Sequence, residues 1–132
     1  MSGYREKTAR DIANGIIDYD NMLSSLPDKF KNTVKGNYKH IEKYGKQKGL
    51  TQAQIQELKN MEVLVARVCY LQERNEQNAK TNDDLAKRDT ARNNAEIEAI
   101  SKQYNLKAEM LGNHPSALNN FIEKENTKKA GR

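Results

Sequence analysis

Apolar residues recur at three- and four-residue intervals along most of the chain, the spacing that lines one face of an α-helix. Ala9, Ile12, Ala13, Ile16, Ile17 and Leu23 predict a first helix over about 4–23, closed by Ser24-Ser25-Leu26-Pro27. Pro27 is tolerated at a helix start because its missing N–H would be unsatisfied there anyway, and Ser25 is a candidate cap. Phe30, Val34, Tyr38, Ile41 and Tyr44 then carry a second helix over about 28–46. Gly36 inside it costs about 1 kcal/mol relative to Ala, and Gly45 and Gly49 offer places for it to stop.

Thr51-Gln52-Ala53-Gln54 has the form of a capping box and leads into Ile55, Leu58, Met61, Leu64, Val65, Val68 and Leu71, so a third helix is expected as the core element. Beyond Leu71 the apolar stripe fades into Gln72-Glu73-Arg74-Asn75-Glu76-Gln77-Asn78. A helix continuing there would project from the body, or would end near Lys80 and restart at Thr81-Asn82-Asp83-Asp84. The fourth segment, about 83–104, is polar almost all round, with Ala86, Ile97, Ile100 and Tyr104 as its best stripe. A short helical stretch around 107–111, a turn at Gly112-Asn113-His114-Pro115 and a last helix near 116–123 complete the reading. No period-2 alternation is long enough for a strand. The expected fold is therefore all-α: a four- to five-helix bundle with an extended helical hairpin or arm, one helical domain over 1–125 and a frayed basic tail over 126–132.

Composition makes the core thin. Leu, Ile, Val and Phe number 24 of 132 residues, a share at which disorder competes with folding. A net charge of only +5 and the long helical periodicities argue for helices all the same. Thin-cored helices gain from a partner, so a homo-oligomer is expected. A single cysteine, Cys69, permits no internal disulfide and reads as a small buried hydrophobe in a reducing, cytoplasmic setting. No apolar leader stands at the N-terminus, and the run Val63 to Leu71, broken by Arg67, is too short for a membrane span. Fifteen asparagines and no tryptophan fit an AT-rich gene such as a bacterial, plasmid or phage accessory gene.

Charge placement changes the picture most. Residues 1–28 carry a net −2, residues 29–48 carry seven lysines against Glu42 for +6, and the remainder carries +1. At 100° per residue the apolar positions of the second helix share an arc of about 120°, and the lysines take the opposite arc. Lys31, Lys35, Lys39, Lys43 and Lys46 are thus candidates for contact with an anionic partner. Lysines four apart repel one another by a few tenths of a kcal/mol per pair unless an anion lies alongside, and a nucleic-acid backbone is the first candidate. A solvated helix face is the plain alternative. Gly49 to Ile55 could pass for the entry to a recognition helix, but the helix after it is too apolar to lie in a major groove.

A second candidate surface is the seam Leu58, Met61, Val65, Val68, Gln72 and Asn75, whose heptad-like spacing and polar end suit helix pairing with specificity above stability. No catalytic, cofactor-binding or metal-ligating constellation is recognisable. His40 and His114 lack ligand neighbours at metal spacing, Asp18 and Asp20 point apart on a helix, and Asp83-Asp84 suits a helix start. Two functions are expected: a non-enzymatic assembly or adaptor protein acting on itself or another helical protein, and, as the alternative, a nucleic-acid-binding accessory protein using the helix over 29–46. Neither a membrane nor a small-molecule substrate is expected as a partner.

Overall fold

The computed structural model describes residues 2–111, with side chains described from Thr8 onward. Five helices make up these residues, α1 (Ser2–Ala13), α2 (Tyr19–Ser24), α3 (Asp28–Gln47), α4 (Gln52–Asn78) and α5 (Asp84–Leu111), with no strand among them. The fold is the expected all-α bundle. The turn at 112–115, the helix near 116–123, the boundary at 125 and the tail over 126–132 lie outside the described residues.

α4 begins as its sequence requires. The Thr51 hydroxyl accepts from the Gln54 N–H at 3.1 Å, and the Gln54 side chain accepts in turn from the Thr51 N–H at 2.9 Å. These bonds satisfy backbone donors that a helix start leaves orphaned. The helix then runs 27 residues, roughly 40 Å at 1.5 Å per residue, straight through the polar stretch after Leu71. It turns at residues 79–83, where Thr81 accepts from the Asp83 N–H and Asp83 from the Leu85 N–H, and α5 returns antiparallel. The expected hairpin is therefore present, with α4 and α5 as its two arms.

Several boundaries differ from the sequence reading. The first helix is two, because Gly15 takes the left-handed conformation, φ +83°, and ends α1, and Asp18 then restarts the chain by accepting from the Asn21 N–H at 3.1 Å. Ser25 does not cap α3: its hydroxyl bonds back to the Met22 carbonyl at 2.8 Å, closing α2, and Pro27 occupies the cap position. Gly45 does not end α3. It is buried where α3 meets α4, and a Cβ there would run into the Ile55 side chain. The helix stops two residues later, ahead of Gly49 at φ +71°. Finally, the expected break before 107 is absent and α5 is continuous for 28 residues.

α4 contributes to every apolar cluster. Leu64 and Leu71 pack with Ile12 of α1 and Ala99 and Ile100 of α5. Ile55, Leu58 and Met61 pack with Ile41 of α3, and Val63 and Ala66 pack with Leu26 and Val34. Each fully buried Leu or Ile contributes roughly 1.5–3 kcal/mol. Among the described residues no helix is long and apolar enough to cross a membrane.

Candidate functional site

Burial of Val34, Ile41 and Gly45 against α4 fixes the rotation of α3, and that rotation turns Lys35, Lys39, Lys43 and Lys46 outward, all four exposed. They share an arc of about 80° and a length of roughly 16 Å, with steps of about 6 Å between the first three. Lys31, expected in the same row, sits apart. Its ammonium lies 3.6 Å from the Asp28 carboxylate and donates to the Ser24 carbonyl at 3.4 Å, so it braces the corner between α2 and α3.

Lysines at helix interfaces are matched to acids. Lys29 meets Glu73 at 2.6 Å, Lys59 meets Glu42 at 2.5 Å, and Lys107 meets Glu57 at 2.5 Å. The four outward lysines carry no ion pair among the described residues. Glu42, the single acid between 29 and 48, is engaged by Lys59, whose hydrogen bond and charge hold its carboxyl below the usual range, with a smaller contribution from Lys46. Gly36 lies on this same exposed face, and a Cβ added to it would meet nothing within 4 Å.

The proposed pairing seam is occupied inside the chain. Leu58 and Met61 are buried against Ile41, Val65 packs on the same cluster, and Val68 packs on the cluster shared with α1 and α5. Gln72 is exposed. Asn75 donates to Asn94 of α5 and accepts from Asn93, both at 3.0 Å. Asn93 also donates to Asp89 at 3.1 Å, and Asp89 accepts from Asn78 at 2.8 Å and Arg74 at 2.9 Å. The polar end of the seam is thus a continuous network joining the two arms of the hairpin.

Glu62 went unread in the sequence. It is 1% exposed on the inner face of α4, where its Oε1 accepts from the Asn37 amide, while its Oε2 accepts no hydrogen bond among the described residues. The signal that could have found it is a single carboxylate within Met61-Glu62-Val63-Leu64-Val65-Ala66. The half-buried Arg67 pairs with the buried Glu96 through two N–H donations at 2.6 and 3.3 Å that fix α5 against α4. His40 is exposed. Cys69 is half-buried, and Asp18 is committed to capping α2. Among the described residues no three His, Cys, Asp or Glu side chains gather as a metal would require. No family model matches the chain, and no match is found among curated proteins or among solved structures.

Proposed function

We propose that this chain is a non-enzymatic cytoplasmic accessory protein that binds the phosphate backbone of a nucleic acid along the outward face of α3, with little preference for base sequence. The observation that carries this reading is the contrast among its lysines: those at helix interfaces are each matched to a glutamate, and Lys35, Lys39, Lys43 and Lys46 stand in one exposed row without one. Such a row repels itself and is relieved by a line of anions. Phosphates in sequence supply that line, and lysine ammonium groups, as point charges, position a backbone without reading bases. The apolar stripes of α4, which would otherwise serve an adaptor, are buried in the chain's own core.

A second reading, assembly through helix contacts, is favoured by Leu106 and Met110, one turn apart on α5 and 44% and 85% exposed. One experiment separates the two. Anisotropy titrations against labelled duplex and single-stranded DNA and RNA are run across a salt series, with light scattering on the same sample. The phosphate reading expects micromolar or tighter binding, a log-log salt slope for duplex of about −3 to −4 when all four lysines engage, and loss of binding when all four are replaced by Gln. Absence of binding at low salt sinks it, and a mass above the monomer then leaves assembly standing. A monomer that binds no nucleic acid removes the phosphate reading and self-assembly together, leaving only contact with a different helical protein.

A further inference from the structure

No ion pair engages Glu62 among the described residues. The cations of its own helix are committed elsewhere, Lys59 to Glu42 at 2.5 Å and Arg67 to Glu96 at 2.6 Å, and Lys107 of α5 is committed to Glu57. The Glu62 charge is felt by two half-buried phenols, Tyr38 of α3 and Tyr104 of α5. Both are pushed above their ordinary pKa by burial first and by the Glu62 charge next, and Asp20 of α2 adds further negative potential at Tyr38. One amide, that of Asn37, supports one of the two carboxyl oxygens.

We infer that Glu62 makes the seating of α3 on α4 proton-sensitive: as a neutral acid it is accommodated between Asn37 and the surrounding apolar side chains, and as a carboxylate it loosens that contact. A buried carboxylate needs several donors or a cation, because it has left the water that stabilised its charge. A neutral carboxyl needs far less and carries a proton that can itself donate. Burial accordingly pushes Glu62 up to about 7, with the Asn37 hydrogen bond acting in the opposite direction. Glu in an unfolded chain titrates near 4.3. Because the folded value is the higher, the folded state binds the proton more tightly. The stabilisation is fully present below about pH 4.5, declines as pH rises, and is gone above about pH 7. α3 is thus held most firmly in mild acid, whatever its outward face binds.

The test uses the full chain and Glu62→Gln, which keeps the shape and the acceptor for Asn37 but cannot ionise. Thermal melts from pH 5 to pH 8 should show the natural chain losing on the order of 10 °C relative to the variant as pH rises. Amide exchange in α3, corrected for its intrinsic pH dependence, should be faster at pH 8 than at pH 6 in the natural chain and unchanged in the variant. A carbon-detected titration of the Glu62 carboxyl should give a midpoint near neutrality, and it decides the matter alone should the variant fail to fold. Parallel melting curves, or a midpoint in the ordinary carboxylate range, would overturn the inference.

Discussion

Asn93 and Glu62 are both buried polar residues on long helices, 0% and 1% exposed, and the fold treats them in opposite ways. Asn93, toward the distal end of the hairpin, donates to Asn75 and Asp89, and both of those have further partners. Glu62, in the body, has one supporting amide and an oxygen with none among the described residues. Polarity can be buried at small net cost when every group is satisfied, and the network then fixes which residues face one another. A half-satisfied group costs free energy and makes the structure depend on its protonation. The hairpin end therefore gains register from its polar residues, and the body gains a pH dependence from its own.

The comparison also assigns stability to the body, and substitutions can break that assignment. Leu64, 0% exposed among Ile12, Leu71, Ala99 and Ile100, ties α1, α4 and α5 together. Leu64→Ala should destabilise the protein by about 2–5 kcal/mol, as the removed methyl groups and the residual cavity together require. Urea denaturation followed by circular dichroism measures it. A loss under about 1 kcal/mol would mean that the apolar body is not what holds the helices. Asn93→Ala should cost less, roughly 1–3 kcal/mol, because Asp89 keeps Arg74 and Asn78 as donors and Asn75, though its Oδ1 loses the Asn93 donor, still donates to Asn94. Its sharper signature is local. Exchange protection should fall in residues 71–78 and 84–94 and hold in α3, and uniform loss along the chain would show that the hairpin end is not a separable unit.

Much of this was legible in the sequence where one physical rule acted alone. The capping box fixed the start of α4, and the opposed apolar and lysine arcs of α3 predicted which side would face out. Legibility failed where two rules competed. Through Ile12, Ala13, Ile16 and Ile17 the apolar spacing continues across a Gly15 that the backbone turns left-handed, so one helix was expected where two form. α5 looked too polar to be buried because its inner face is built from Asn93, Glu96 and Gln103, whose partners are Asn75, Arg67 and the Ala13 carbonyl. Hydropathy cannot register a polar residue whose partner lies 18, 29 or 90 positions away. Lys31 belonged to the row by periodicity, and Asp28 together with the Ser24 carbonyl draws it aside. The same limit hid Glu62, whose single carboxylate does not disturb the apolar pattern of α4.

The smallest effect bears on whether the outward face of α3 is more than a solvated surface. Gly36 stands there in mid-helix, exposed, with open space where a side chain would be, so packing gives no reason for a glycine. Alanine should therefore stabilise the protein by about 0.5–1 kcal/mol, since it restricts the unfolded chain and suits the helix better. A glycine at such a position makes sense if a partner comes close to the helix backbone beside the lysines. Under the phosphate reading Gly36→Ala should then raise the urea midpoint and weaken nucleic-acid affinity at the same time, with the salt slope unchanged because no charge has been altered. Stabilisation with affinity untouched would place the phosphates out along the lysine tips, clear of the backbone. A loss of stability would show that α3 is not seated on α4 as described, because in that seating the added methyl meets only solvent.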